Sequence, residues 1–559
     1  MTVFDELEAI IQREMSRGTL PGLAVALVRG SDVIWSKGYG YADLENKVAV
    51  TPGTAFRVAS VTKPIVATAL MQWWERGRFK LDDPVNEHLA PIRLRNPFED
   101  RAPVSIRHLL THTSGLPVQL DAVPTEPSAL PTLEDFVANR LETVRPPGEE
   151  IVYANGGYAA LGYLVGRFAG KPYDVALREQ VLEPLEMRSS AVGEPPEGVP
   201  AARGYFFSLL DGEHHLVPRY YVDCRPDSPA CGLFSTVEDL ARFLIAHMNG
   251  GMYKGSRLLA EKTVAKMHRL HVPAGLSGGG MGLGLMVDRA YGRRRIFHGG
   301  DFSGCSAFIG AYPDERVGVA VLANVTGSAA ARGAIPNAAL RLLVDDYQPC
   351  DLDALRRDPA PEEWSRVTGR YLWVDRDVSL AVEEGVLTLD AEGESSYLER
   401  LEPGVFRAHD GFFDGFRFAF EYGEDGKAAR FFTGIWRADR QGDVVARVEP
   451  DIDEKADFTG RWSGTCISPL GVLPIVAEIG ADSARVTVLS TQEAGVEEFR
   501  SERGRVSGHF QLAMPGFGDF RVFVKVAVDG GGLRGEAYAR GALGEFPMRV
   551  ELTRAEGSV

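Results

Sequence analysis

The chain has 559 residues, with 61 Lys+Arg against 77 Asp+Glu for a formal charge of −16, 45% hydrophobic residues and a mean hydropathy of −0.11. This ordinary globular composition excludes disorder, collagen-like repeats and a dominant coiled coil, and at roughly 150 residues per domain it predicts about three or four domains. The acidic balance repels phosphate, so neither nucleic acid nor a membrane is expected as a partner.

The first element is an amphipathic helix in which Val3, Phe4, Leu7, Ile10, Ile11 and Met15 recur at helical spacing. Asp5, Glu6 and Glu8 in its first turns are the wrong chemistry for a secretory leader, so a cytoplasmic protein is expected. No stretch has the uninterrupted apolar length of a membrane span. GLAVALVRG (22–30) and DVIWSKGYGYAD (32–43) predict an antiparallel strand pair turning at Gly30-Ser31. Helices follow over 61–77, 132–143, 157–170 and 236–250. Strands return at 282–290, 295–300, 306–313 and 317–325 before a helix near 328–345. Strands at both ends of a helix-rich middle imply an α+β domain over 1–345, with one sheet built from its termini.

After a Pro-, Asp- and Arg-rich linker at 346–363 the texture becomes short β runs broken by turns. Thr368-Gly369-Arg370-Tyr371 recurs as Thr459-Gly460-Arg461-Trp462, 91 positions later, which fits two related small antiparallel β-barrels over 364–450 and 458–559. The five cysteines, Cys224, Cys231, Cys305, Cys350 and Cys466, are scattered without metal or disulfide spacing and read as reduced thiols.

Three short segments carry chemistry. Ser60-Val61-Thr62-Lys63 opens an apolar helix, which places a serine hydroxyl and a lysine amine one turn apart on the same face. A lysine so placed can take the serine proton, and the helix end offers unpaired N–H groups for an oxyanion. Pro64 fits the first turn, where its missing N–H costs nothing. Only this lysine among eleven has Ser three positions before it. Tyr153-Ala154-Asn155 follows a Pro-Pro-Gly turn and precedes a helix, so a phenol that handles protons and an orienting amide share one loop. His298-Gly299-Gly300-Asp301 ends a strand, where the glycines allow close approach of a ligand and the Asp301 N–H is a candidate oxyanion donor.

Other segments mimic motifs without their context. Gly275-Leu276-Ser277-Gly278-Gly279 matches a nucleophile elbow but lacks the strand before and the helix after, and reads as a mobile glycine-rich loop. Glu213-His214-His215 lacks metal-ligand spacing, and no metal or other cofactor is expected.

Taken together and in this order, Ser60-x-x-Lys63, Tyr153-x-Asn155 and His298-x-Gly300 resemble the serine β-lactamase and penicillin-binding-protein superfamily, in its class C-like branch, family S12. The phrases His108–Leu116 and Gly232–Thr236 are also similar to it. The resemblance covers about 5–345 and implies acyl transfer. Ser60 would attack a carbonyl, Lys63 and Tyr153 would share the proton, Asn155 would position Lys63 and substrate, and the Ser60 and Asp301 N–H groups would hold the oxyanion. A Lys-Thr-Gly usually stands where this chain has His298-Gly299-Gly300, so a fixed cation for a substrate carboxylate becomes a histidine expected to be only partly charged at neutral pH. Histidine there, and two C-terminal barrels of lipocalin-like kind, resemble the D-aminopeptidases. In those enzymes a loop of the last barrel reaches the active site, which by analogy makes Met514–Phe520 a candidate. The resemblance implies a peptidase or amidase on a small peptide or amide. An esterase or transacylase of the same fold, a non-catalytic binding protein and a homodimer all stay open.

Overall fold

Strict alternation along two neighbouring strands sets the central sheet. In Gly22–Arg29, Ala24, Ala26 and Val28 face one apolar core while Leu23, Val25 and Leu27 face another. Its neighbour Val317–Ala323 divides in the same way, with Ala320 and Leu322 on the first side and Val319 and Val321 on the second. Strands buried on both faces need apolar residues at successive positions, which is why both read as continuous hydrophobic runs. The two pair antiparallel with Leu23 opposite Ala323, so the beginning and end of the domain share one sheet, as the pattern of elements predicts. The computed structural model describes residues 3–117, 131–207, 213–217, 228–275, 277–302, 304–345, 347, 350–356, 361–373, 376–391, 394–441, 458–468, 471–488, 492–502, 505–514, 518–529, 532–541 and 544–554.

Among the described residues the sheet has nine strands and continues outward from Val317–Ala323 through Cys305–Tyr312 and Arg293–Phe302 to Met286–Ala290. Helices Val3–Ser16 and Ile335–Leu342 cover one face. The other face carries helix Val237–Met248 and a helical region built on Thr62–Glu75 and Asn155–Ala169. Among the described residues no helix is long and apolar enough to cross a membrane.

Behind this domain the chain folds into two β units. Eight strands between Gly369 and Arg440 close into an antiparallel barrel. Nine strands between Gly460 and Arg554 form one sheet curled around a single core, to which Val486 and Val488 contribute from one end of the strand order and Phe499 and Val506 from the other. The repeated tetrapeptide performs the same task twice. The Tyr371 hydroxyl donates to the Val367 carbonyl at 2.7 Å, and the Trp462 indole N–H to the Phe458 carbonyl at 2.8 Å. An arginine from the last strand of each unit then closes the motif. Arg440 lies 5.4 Å over the Tyr371 ring and donates to the Thr368 carbonyl, while Arg554 lies 5.2 Å over the Trp462 ring and donates to the Thr459 carbonyl.

The closed barrel docks on the first domain beside a buried ion pair. Arg295, 1% exposed, makes a bidentate contact with Asp288 at 2.9 and 2.6 Å and donates to Asn337 at 2.9 Å. Its guanidinium stacks between Phe297 of its own strand and Phe416 of the barrel, at 4.8 and 4.3 Å. Asn337 in turn donates to the Phe412 carbonyl of the barrel at 2.9 Å. Removing one partner of such a pair leaves an uncompensated buried charge, so Asp288→Ala is expected to destabilise the protein by roughly 3–5 kcal/mol. Thermal unfolding of the purified variant checks this, and an unchanged midpoint would refute it.

Candidate active site

The chain before Ser60 makes an abrupt turn. Ala59, fully buried, sits at φ +46°, a left-handed conformation that a residue with a Cβ holds only when its surroundings enforce it. Thr62 supplies part of that enforcement, because its hydroxyl donates to the Ala59 carbonyl at 2.7 Å and accepts the Leu233 N–H at 3.2 Å. Ser60 lies in a single 3₁₀ turn, and the α-helix begins two residues later and runs Thr62–Glu75 with Pro64 in its first turn. The spacing then carries Lys63 back to the serine.

Lys63 is fully buried and donates to Ser60 Oγ at 2.9 Å, Asn155 Oδ1 at 2.8 Å and the Ala230 carbonyl at 3.0 Å. Two of these acceptors are fixed by secondary structure. Asn155 is the first residue of helix Asn155–Ala169, and Ala230 belongs to a short helical turn, Ser228–Cys231. These three bonds use every N–H of the ammonium form; once it loses the proton shared with Ser60, Asn155 and Ala230 hold the amine and its lone pair is aimed at the serine oxygen. Tyr153 lies above it, its ring 4.8 Å from Lys63 Nζ and its phenol hydrogen-bonded to Ser60. Burial pushes the phenol well above its ordinary value, and the bond to Ser60 opposes this only in part. Tyr153 therefore holds its proton firmly at neutral pH.

A residue outside the three motifs completes this arrangement. His112, 1% exposed and at φ +56°, stacks on Tyr153 with ring centroids 4.2 Å apart. Its Nδ1 accepts the Ala154 N–H at 3.1 Å, so the imidazole is neutral and carries its proton on Nε2. Burial, with Lys63 and His298 close by, holds its pKa well below the usual histidine value. The phrase His108–Leu116 contains His112, but nothing in that phrase tells which of its residues lies under the tyrosine.

The third motif lies on strand Arg293–Phe302. Its pairing with Met286–Ala290 ends at Phe297 opposite Met286, whereas pairing with Cys305–Tyr312 continues to Phe302. Among the described residues, 298–302 therefore has a neighbour on one side only and offers an open backbone edge. This edge runs beside the serine turn. A Cβ on Gly300 would stand 2.3 Å from the Val58 carbonyl and 3.3 Å from the Ser60 nitrogen, so only glycine permits the approach. The Asp301 carboxylate accepts the Gly327 N–H at 2.8 Å and pairs with Arg332 at 3.4 Å, which fixes the residue whose N–H is the second oxyanion candidate.

His298 departs from the sequence expectation of partial charge. It is 1% exposed, its Nδ1 donates to the Gly299 carbonyl at 2.7 Å, and its Nε2 has no hydrogen-bond partner among the described residues. Burial first and the Lys63 charge second lower its pKa to about 3. The imidazole is thus neutral from pH 5 to 9. His298→Gln is expected to leave the pH midpoints of kcat/KM in place across that range. Loss of an acid limb in this variant's pH profile would refute the assignment.

The barrel also takes part in the site, through a segment that the sequence does not mark. The turn between strands Ala428–Thr433 and Trp436–Arg440 presses Ile435 into the core that holds Met281 and Phe297. This places the Trp436 ring 6.0 Å from that of Tyr153. Gly275 and Gly279, from the segment expected to be a mobile loop, seat this turn, and Leu276 lies outside the described residues. A Cβ on Gly275 would meet the Phe432 ring at 2.5 Å, one on Gly279 would lie 3.2 Å from Gly434 Cα, and Ser277 is buried. Within the candidate loop Met514–Phe520 of the second β unit, residues 515–517 lie outside the described residues.

Comparison with known proteins agrees with this geometry. A family model described as Beta-lactamase matches residues 7–343. Protein flp of Staphylococcus aureus (strain MW2) is 26% identical over 325 residues, which cover 57% of this chain and 63% of that protein. The chain thus spans somewhat under two thirds of the length of that curated relative. The octameric penicillin-binding protein homologue from Pyrococcus abyssi superimposes with a TM-score of 0.54 at 28% identity, over 78% of this chain and 99% of that one. EstCE1, a hydrolase with promiscuous acyltransferase activity, shares the fold with a TM-score of 0.53 at 23% identity, over 61% of this chain and 98% of that one.

Proposed function

The chain belongs to the beta-lactamase family, and from that premise we propose that it is a serine hydrolase that cleaves an amide bond of a short peptide or amino-acid amide through an acyl-enzyme. The observation that carries this reading is the position of Lys63 Nζ, 2.9 Å from Ser60 Oγ and held from behind by Asn155 and Ala230. Ser60 attacks the carbonyl carbon and its proton goes to Lys63 Nζ, which acts in this step as the neutral amine, while Tyr153 keeps its own phenol proton. The Ser60 and Asp301 N–H groups receive the charge that develops on the carbonyl oxygen. As the C–N bond breaks, Tyr153 gives its phenol proton to the departing nitrogen and is reprotonated from Lys63, which returns to the neutral amine. Its raised pKa keeps the phenol protonated until this step, and an amine needs a proton before it can leave. Water then takes the place of the leaving group and releases the acid. The open edge at 298–302 lets an extended acyl chain pair with the strand during both steps.

A fluorophosphonate probe, with intact-protein mass spectrometry on the wild type and Ser60→Ala, tests the nucleophile. Aminoacyl anilides, p-nitrophenyl esters and nitrocefin, run in parallel, test the bond. Labelling confined to the wild type, with anilide turnover, supports the proposal. Ester turnover alone would replace it with an esterase, and a wild type that neither labels nor turns anything over would refute catalysis.

A further inference from the structure

The group that hands a proton to the leaving nitrogen must face it, so the leaving side of the substrate lies toward Tyr153, whereas the acyl side runs along Gly300–Asp301. The wall on the Tyr153 side is therefore the wall that the leaving group meets. Trp436 stands there, 6.0 Å from the Tyr153 ring, carried by a hairpin turn whose Ile435 is anchored in the domain core. Ile151 belongs to the same apolar cluster as Tyr153 and Trp436. Among the described residues, the polar groups beside them supply no available cation. His298 is neutral, with a bare and buried Nε2. Lys63 is fully buried and bonded to three oxygens. Arg437, next in sequence to Trp436, pairs with Asp439 at 3.0 Å, and Arg295 with Asp288 at 2.6 Å. A carboxylate brought to this wall would lose water and gain no counter-charge. An aryl or other apolar group would gain a ring to pack against.

We infer that the closed barrel supplies the leaving-group wall of the active site through its Thr433–Trp436 turn, with Trp436 as the selective face, and that the substrates are amides whose leaving group is aromatic or apolar and carries no carboxylate next to the scissile bond. This deepens the proposed amidase and rests on it. Arylamides of amino acids and short peptides blocked at the carboxyl end belong to this class. Dipeptides with a free carboxylate and bicyclic β-lactams, whose carboxylate sits beside the scissile amide, do not.

The test uses the full chain and substrates that share one acyl group and differ only in what leaves: a naphthylamide, a plain amide, a dipeptide with a free carboxylate and the same dipeptide amidated. For the wild type, kcat/KM for the amidated dipeptide is expected to exceed that for the free acid at least tenfold. In Trp436→Ala the ratio of kcat/KM for naphthylamide over plain amide is expected to fall about tenfold, and Trp436→Phe should recover most of it. The loss belongs in kcat/KM. It should be missing from any kcat limited by hydrolysis of the shared acyl-enzyme, because the leaving group has gone by then. A merely structural tryptophan would lower every substrate alike and leave the ratio untouched, which would overturn the inference. So would a wild type that favours the free carboxylate, a result that does not depend on how the Trp436 variants fold. Failure of the underlying hydrolase reading shows separately, as absence of Ser60-dependent labelling and of turnover for all four substrates.

Discussion

Ser60→Ala is expected to lower turnover of the best amide substrate by at least about 10⁴-fold, with little change in stability. The two halves of this expectation have separate causes. Without Oγ no acyl-enzyme forms, and what remains is the contribution of binding and oxyanion donors, which in serine hydrolases lies several orders of magnitude below the intact enzyme. The fold loses little, because Lys63 retains Asn155 and Ala230 as acceptors and the turn is held by Thr62 and Val61 rather than by the serine side chain. Lys63→Met should reach a similar loss by another route, since it leaves the serine without its proton acceptor. It also strips the Asn155 amide oxygen and the Ala230 carbonyl of a donor inside the protein, so a penalty of about 1–3 kcal/mol in stability accompanies it. Because the two residues act as one unit, the double variant Ser60→Ala/Lys63→Met should be no slower than either alone. Steady-state kinetics of the three variants with unfolding curves measures both quantities. Additive losses would mean that serine and lysine do not work together, and a Ser60→Ala enzyme with more than a few per cent of wild-type turnover would remove the nucleophile.

The serine, lysine, tyrosine and asparagine were legible in the sequence because their relation is mostly local. One helical turn fixes Lys63 against Ser60, and Asn155 opens a helix two residues after Tyr153. The sheet was legible for a similar reason, as strands buried on both faces leave long apolar runs. The repeated Thr-Gly-Arg-aromatic phrase was legible too, whereas Arg440 and Arg554, which complete it, lie at the far end of each unit and share no pattern with it. Trp436 was not legible, since its approach to Tyr153 depends on how a barrel surface seats Ile435 and Phe432 against distant glycines. The neutrality of His298 was hidden as well. A residue name gives an ordinary pKa, but burial and the nearby Lys63 set the actual one. Local spacing reveals which groups can react, and packing between distant segments decides their charge and their company.

That packing carries a second large consequence, a loss of several kcal/mol of stability between pH 7 and pH 5. His112, His247, His268 and His298 are 1, 3, 2 and 1% exposed. Burial holds all four below their ordinary value, with His247 lowered to about 4 and His298 to about 3. Two of them form a chain whose protons are fully assigned. The Thr68 hydroxyl donates to the Pro64 carbonyl at 2.8 Å, so it accepts from His247 Nε2 at 3.1 Å. His247 Nδ1 must then accept from His268 Nε2 at 3.0 Å, and a second proton has no place to go. In the unfolded chain the same imidazoles take up protons near pH 6.5. The stabilisation is therefore complete above that value and is lost as pH falls from 6.5 toward the depressed folded values. His247 and His298 each account for about 2 kcal/mol at pH 5, and His112 and His268 add in the same direction. Asp239 and Asp414, whose carboxyls burial pushes up, gain stability as pH falls and offset part of the loss. Urea unfolding at pH 5, 6, 7 and 8 gives the slope directly. Burial also lowers His108 and His271, so a variant with His247→Gln and His268→Gln removes two of six such sites among the described residues, and its stability, whatever its absolute value, should depend on pH less steeply. A wild type equally stable at pH 5 and pH 7, or a double variant with the full slope, would show that these imidazoles are not held neutral by the fold.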